Sequence, residues 1–262
     1  MESTKQIQIN LPYLALARVS GADAGSFLQA QLTADISHLA DGQSVFSGYC
    51  DPKGNTLAVL RLTRDGDDYN LIAASELMEP LLARFRKYIL RAHVKFEATD
   101  DTVVGVRTDG ATDYLAYSPG ADGAESDLKS TEAWRAGEIR EGLVWLGTAT
   151  SGQFLPQMLG LDRIGALSFR KGCFPGQEII ARVRYLGRLK QLPLAVQVEG
   201  RVDCRPGDDG QLRSAEGQQA TATVVDFAID GKLTALFLVA RMDEAYQPHV
   251  LELGGQTYSL RR

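Results

Sequence analysis

The chain has no CxxC pair, and its three cysteines, Cys50, Cys173 and Cys204, are odd in number and widely spaced. Such a set does not build a zinc site or a cysteine-ligated iron–sulfur cluster from this chain alone. It predicts free thiols in a reducing compartment. No apolar run approaches the ~18 residues that a bilayer-spanning helix needs, so no membrane partner is expected. Residues 1–10 hold one lysine and no apolar block, which fits neither a secretory signal nor an arginine-rich transit peptide; the expected location is cytoplasmic. Positive charge is not in excess. The formal net charge is −5, which argues against direct nucleic-acid binding and makes any anion site a local exception. Histidine is scarce: His38, His93 and His249 are scattered and read as structural or surface residues. Coiled-coil heptads, internal repeats and low-complexity tracts are absent, and a monomer is the default expectation.

What is present is ample for a folded body. With 262 residues and 44% hydrophobic content, the chain can bury one large domain or two to three small ones. Residues 13–19 read as a strand. Gly21-Ala22-Asp23-Ala24 then opens a helix with Phe27, Leu28, Leu32 and Ile36 on one face and Asp23 as N-cap. Residues 44–74 read as a β-meander turned by Asp51-Pro52-Lys53-Gly54 and Arg64-Asp65-Gly66-Asp67. Ser75 is the expected cap of the next helix, whose buried face is Leu77, Leu81, Leu82, Phe85, Tyr88 and Ile89. Strands follow at 94–98, 103–108 and 114–117, then a loop at 118–126 and a short helix at 131–137 carrying Trp134. After Gly187 come short strands at 192–198, 221–229, 233–240, 249–253 and 257–260. Their hairpin turns, Asp230-Gly231 and Gly254-Gly255, predict a small closed β-barrel of about 70 residues.

Residues 168–190 hold the densest chemistry. Gly172 and Gly176 flank Cys173, Pro175 suits a first helical position, and Gly187 suits a C-cap. Ile179, Ile180, Val183 and Leu186 form one apolar face. This places Cys173 before a helix N-terminus and beside Arg170 and Lys171, two features that favour thiolate. The alternative is that Cys173 is a small buried apolar residue. Six cations (Arg170, Lys171, Arg182, Arg184, Arg188, Lys190) stand here against Glu178. That is +5 locally and, from a total of −5, leaves −10 elsewhere. The patch can recruit an anion, or half of it is a solvated helix face on which Glu178 and Arg182 pair at i, i+4.

Lys171-Gly172-Cys173-Phe174-Pro175-Gly176-Gln177-Glu178 closely resembles the K-G-C-[YF]-x-G-Q-E signature of YgfZ-type proteins, which are similar to the folate-binding fold of the glycine-cleavage T-protein, the GcvT aminomethyltransferase. Three further stretches look like family segments in family order: Gly21-Ala22-Asp23 with Phe27-Leu28-Gln29, Tyr49-Cys50-Asp51-Pro52-Lys53-Gly54, and Ser151-Gly152-Gln153-Phe154-Leu155-Pro156-Gln157. The resemblance implies an α+β, GcvT-like fold of three lobes around a central channel, with a C-terminal small β-barrel. Its divisions would be an N-terminal folate-binding lobe at 1–95, a second α+β lobe at 96–190 ending in the motif, and the barrel at 191–262. It implies tetrahydrofolate or a one-carbon derivative as ligand. It also implies an accessory role in assembly, repair or maintenance of iron–sulfur enzymes, including tRNA-methylthiolating ones, with those clients or assembly proteins as partners.

Carried onto this sequence, the resemblance makes Cys173 the functional thiol, with Lys171, Gly172, Gly176, Gln177 and Glu178 shaping its loop. Arg182 and the basic face would meet a folate glutamate tail; a phosphate or RNA are the other anions that fit. Trp134 falls where a family tryptophan is associated with folate and would stack on a pterin, the alternative being a core residue. A second family tryptophan is replaced by Leu14, next to Tyr13, so these two are expected at the ligand wall. The T-protein uses a carboxylate slightly before the position of Gly21. Here no Asp or Glu lies between Glu2 and Asp23, and Asn10, near the expected place, carries an amide that cannot act as a base. The accessory reading therefore leads. A folate-dependent one-carbon transferase using Asp51 or Glu178 is the alternative, and an RNA-contacting protein using 182–190 is third.

Overall fold

The computed structural model describes residues 6–108, 111–117, 127–187 and 189–261; the expected loop at 118–126 and Arg188 lie outside them. Three bodies are built from these residues. The first is an antiparallel five-stranded sheet in the order β3-β4-β5-β2-β6. Its strands are β2 (Leu14–Ser20), β3 (Ser44–Cys50), β4 (Thr56–Asp65), β5 (Asp68–Ala74) and β6 (Lys95–Ala98). The meander expected at 44–74 is β3–β4–β5. Helices α1 (Ala24–Gln31) and α2 (Ser75–Arg86) lie against the sheet and bury Phe27, Leu28, Leu77, Leu81, Leu82 and Phe85. Each such side chain contributes about 1.5–3 kcal/mol on leaving water. Phe27, Tyr49, Phe85 and Phe96 meet as one aromatic cluster at the centre of this core.

The caps differ from the sequence expectation. Asp23 occupies the α1 N-cap, yet its carboxylate accepts the His93 backbone N–H at 2.7 Å instead of an N–H of α1. Ser75 is the first residue of α2, not its cap, and its N–H donates to the Tyr13 carbonyl at 2.8 Å. Helix α2 stops at Arg86, so Tyr88 lies beyond it and is exposed.

The second body is a three-stranded antiparallel sheet, β1-β7-β8, built from β1 (Gln6–Asn10), β7 (Thr102–Thr108) and β8 (Ala111–Tyr117). Residues 6–10 form a strand that the sequence reading does not include; the alternation puts Ile7 and Ile9 on one face, of which Ile9 is buried while Ile7, near the start of the strand, is exposed. Helix α3 (Leu128–Arg140) packs on this sheet and is longer than the expected 131–137. Asp127 starts it, its Oδ1 accepting the Ser130 N–H at 2.8 Å.

After α4 (Gln177–Leu186), the third body is a closed six-stranded barrel, β10-β11-β12-β9-β14-β13. Its strands are β9 (Leu192–Glu199), β10 (Asp209–Ser214), β11 (Gln219–Asp230), β12 (Leu233–Ala240), β13 (Pro248–Leu253) and β14 (Gln256–Arg261). Closure leaves no free sheet edge, and Leu212, Val224, Leu236, Leu238 and Leu251 fill the interior. Strand β11 packs against α3 and carries a bulge at Val224/Asp226, where the Asp226 carboxylate accepts two bonds from Arg135 of α3. That buried ion pair ties the barrel to the second body.

Candidate functional site

The motif at 171–178 is held by three separate segments of chain. The Lys171 ammonium donates to the backbone carbonyls of Gln29, Leu32 and Ala34 at 2.5, 2.6 and 2.9 Å. Burial draws its pKa down to about 8, still above neutrality, and the three carbonyls give the ammonium an acceptor for every proton. Gly176 takes the N-cap of α4 in the left-handed conformation, φ 79°. The expected helical start at Pro175 is thereby corrected, because α4 begins at Gln177. The turn 51–54 meets Gly176 and is closed by Asp51, whose Oδ1 accepts the N–H groups of Lys53 and Asn55. The stretch 151–157 completes the frame: Gly152 N–H donates to Thr56 O, Thr56 N–H to Phe154 O, and the Gln157 amide to Ile180 O.

Cys173 is the exposed thiol of this frame, which removes the buried-residue reading. Gly172 beside it faces open space. The expected cation pair is halved: Lys171 is committed to carbonyls, leaving Arg170, which is exposed. Burial pushes the thiols of Cys50 and Cys204 up to about 12 and about 11, so these two act as small apolar core residues. Glu178 is exposed and pairs with Arg182 at 3.1 Å, the i, i+4 pairing. Arg184 lies 5.1 Å over the Phe169 ring and 3.9 Å from Asp162. The apolar face of α4 is only partly buried: Ile180 is enclosed, while Tyr185 and Leu186 are 68% and 85% exposed.

Tyr13, Leu14 and Trp134 sit elsewhere, around Glu138. Four aromatic donors converge on this carboxylate: the hydroxyls of Tyr13 and Tyr114, and the indole N–H groups of Trp134 and Trp145. Glu138 is 2% exposed, and burial pushes its pKa up to about 7 against the pull of its donors. Trp134 is core: Gly105 lies so close that a Cβ there would stand 2.4 Å from the indole Cζ2, and Arg107 lies 5.0 Å over the ring. Leu14 is also core, paired in the sheet with Ala74. The ligand-wall expectation for Trp134 and Leu14 is therefore corrected, since both are packed against other elements.

Of the four aromatic donors around Glu138, Tyr13 and Trp145 line a cavity. The cavity is about 320 Å³, at the lower end of the range for small-molecule sites, and lies where the three bodies meet. Ser75 and Glu76 enter it from the start of α2, Arg135 from α3, and Asp226 from the barrel. Arg135 lies 5.3 Å over the Tyr13 ring, and Glu76 accepts the Thr148 hydroxyl at 2.8 Å. Two flat walls, two carboxylates and one guanidinium suit a flat heterocycle with N–H donors. A larger cavity, about 580 Å³, lies between α4 and the barrel; it is lined by charges of both signs and has no aromatic wall. No motif residue lines the Tyr13 cavity, so thiol and cavity are two places on the molecule. Glu138, Tyr114 and Trp145 escape sequence reasoning. The one local signal is the i, i+4 spacing of Trp134 and Glu138.

Neither candidate acid reaches the cavity: Asp51 closes a turn and Glu178 pairs on an exposed helix face. Asn10 ends β1, with the Thr131 hydroxyl donating to its carbonyl.

Comparison with known proteins finds no matching family model. Among curated proteins, the tRNA-modifying protein YgfZ of Escherichia coli O157:H7 (strain EC4115 / EHEC) is 31% identical, over 80% of this chain and 78% of that protein. The protein of the same name from Shigella boydii serotype 4 (strain Sb227) is 30% identical with the same coverage. Among solved structures, the glycine cleavage system aminomethyltransferase T from Bartonella henselae superposes with a TM-score of 0.74 at 16% identity, covering 98% of this chain and 84% of that one. That likeness fixes the fold as GcvT-like.

Proposed function

The chain belongs to the YgfZ family, and from that premise we propose that it is a tetrahydrofolate-binding accessory protein that supports tRNA-modifying iron–sulfur enzymes. The observation that carries this reading is the state of Cys173. It is the exposed thiol of the chain, set beside a motif that three distant segments contact, while Cys50 and Cys204 are buried. A thiol presented this way suits contact with a partner protein or its cluster, not a buried structural role. The reading places the protein in the cytoplasm, as a monomer, with lobes at 1–95, 96–190 and 191–262.

The ligand is tetrahydrofolate or a one-carbon derivative in the central cavity. Tyr13 and Trp145 offer flat walls to a pterin, the Glu76 carboxylate accepts its N–H groups, and Arg135 offers a donor. The folate tail would run outward. Lys171, Gly172, Gly176, Gln177, Glu178 and Arg182 serve the thiol loop and α4 in this reading, not the pterin.

The deciding experiment measures methylthio-modified adenosine in tRNA from a strain lacking the protein, complemented with wild type or with Cys173→Ser. Rescue by wild type alone is expected. Equal rescue by both removes the thiol from the function, and an unmodified level in the deletion strain removes the iron–sulfur role.

A further inference from the structure

Glu138 is a buried carboxylate whose hydrogen-bond donors are all aromatic, and its two oxygens are not equivalent. Oε1 accepts from the Tyr114 hydroxyl, from Trp145 Nε1 at 3.1 Å and from Trp134 Nε1 at 3.3 Å. Oε2 accepts from the Tyr13 hydroxyl at 2.7 Å. Among the described residues Glu138 forms no ion pair. Three cations lie over the rings that bond it: Arg61 over Tyr114, Arg107 over Trp134 and Arg135 over Tyr13, at 5.3, 5.0 and 5.3 Å. Arg107 pairs with Glu141 at 3.8 Å, Arg135 pairs with Asp226, and Arg61 donates to the Tyr114 carbonyl at 3.2 Å.

A carboxylate offers about four lone-pair positions, two on each oxygen. Three donors crowd Oε1, so a proton arriving on Glu138 goes to Oε2, where Tyr13 is the single donor. Oε2–H then donates to the Tyr13 oxygen, and the Tyr13 hydrogen must turn away from Glu138. The phenol hydrogen stays in the plane of its ring, and because Tyr13 lines the cavity, a ligand acceptor placed at that edge of the ring would meet it. Burial raises the carboxyl and its donors lower it; the balance near 7 makes both forms accessible at neutral pH. The phenol itself keeps its proton throughout, because burial and then the Glu138 charge push it far above its ordinary range.

We propose that Glu138 is a proton-linked positioning residue of the central cavity, its protonation releasing the Tyr13 hydrogen to a ligand acceptor and its ionisation taking that hydrogen back. The exchange is balanced by one proton from solvent, and no bond other than O–H changes. A ligand that presents a carbonyl or ring-nitrogen acceptor to Tyr13 binds the protonated form. That ligand half rests on the folate reading above; the behaviour of Tyr13 does not.

The chain's two tryptophans, Trp134 and Trp145, both donate to Glu138 Oε1, so intrinsic fluorescence reports this carboxylate without interference. A pH titration of the full chain without ligand should give a single-proton transition with a midpoint near 7. Glu138→Gln should abolish it. Tyr13→Phe removes a donor to the ionised form and should move the midpoint upward, which keeps the test alive if Glu138→Gln does not fold. Carbon-13 labelling at tyrosine Cζ, with Tyr13 assigned by its loss in Tyr13→Phe, should show the Tyr13 signal shifting at the same midpoint. Absence of the transition in wild type, or its persistence in both variants at the original midpoint, overturns the proposal. With 5-formyltetrahydrofolate as probe, affinity should be about tenfold higher at about pH 6 than at about pH 8, the ratio of protonated fractions. Equal affinity at both pH values overturns the coupling to the cavity. No binding at either pH alongside an intact Tyr13 transition defeats the folate reading and supports the Glu138–Tyr13 exchange.

Discussion

Gly176 and Gly54 touch backbone to backbone: a Cβ on Gly176 would stand 2.4 Å from the Gly54 Cα and 2.6 Å from the Asp51 carbonyl oxygen. The neighbour is main chain held in a turn, so it cannot rotate aside. Gly176 also sits at φ 79°, where an L side chain is strained. Gly176→Ala should therefore cost about 2–4 kcal/mol, the sum of a left-handed penalty and an overpacked contact. Gly172→Ala is the control, since nothing lies within 4 Å of its Cβ position and the change should stay within about 0.5 kcal/mol. Urea unfolding midpoints of the two variants check both statements. Equal midpoints would show that the contact does not set the loop.

Lys171 anchors the other end of the motif. Its side chain is buried and its ammonium holds three carbonyls at the end of α1 and just beyond it. Lys171→Met keeps the stem and removes every donor, leaving those carbonyls to find other partners. The loss should be about 3–5 kcal/mol, the range for stranding one side of a buried charged interaction. Denaturant unfolding measures it, and a cost below that of an ordinary surface change would assign the lysine to function instead of to the frame.

These two contacts mark how far the sequence can be read. The glycines around Cys173 and the turn at 51–54 are visible as local signals, because turn chemistry is written in adjacent residues. Their mutual contact is visible only in space. The β-meander and the barrel are legible from alternation and from hairpin turns such as Asp230-Gly231, since strand patterning is local. The Glu138 cluster is not. Its donors come from positions 13, 114, 134 and 145, and no window of sequence contains all of them. Trp134 draws the eye as the aromatic of its helix, yet tertiary packing makes it core and gives the cavity wall to Trp145.

The thiols should divide cleanly by accessibility. Cys173 is exposed, whereas burial pushes Cys50 up to about 12 and Cys204 up to about 11. Iodoacetamide applied to the native chain should modify Cys173 alone, read by mass spectrometry of the digest, and denaturant should open the other two. Cys173→Ser should leave the unfolding midpoint within about 0.5 kcal/mol of wild type, because no packing depends on the sulfur. Labelling of Cys50 or Cys204 in the native protein would mean that the core around them opens locally.

Glu138 should leave a signature on stability of opposite sense to most carboxylates. Burial raises its folded-state pKa to about 7, above its ordinary value of 4.5. Between those values the folded chain holds a proton that the unfolded chain has released, so rising pH through this window weakens the fold. A shift of that size corresponds to roughly 3 kcal/mol, present in full below the unfolded value and lost by the time pH passes 7. Other groups also titrate there, so the quantity to measure is the difference between wild type and Glu138→Gln, taken from urea unfolding at a series of pH values. That difference should move against wild type between about pH 5 and about pH 7 and then stay level. A difference that moves in favour of wild type instead would mean that four aromatic donors outweigh burial and hold the carboxylate ionised. Glu138 would then be a fixed negative charge behind the cavity wall, and Tyr13 would stay turned toward it at every pH.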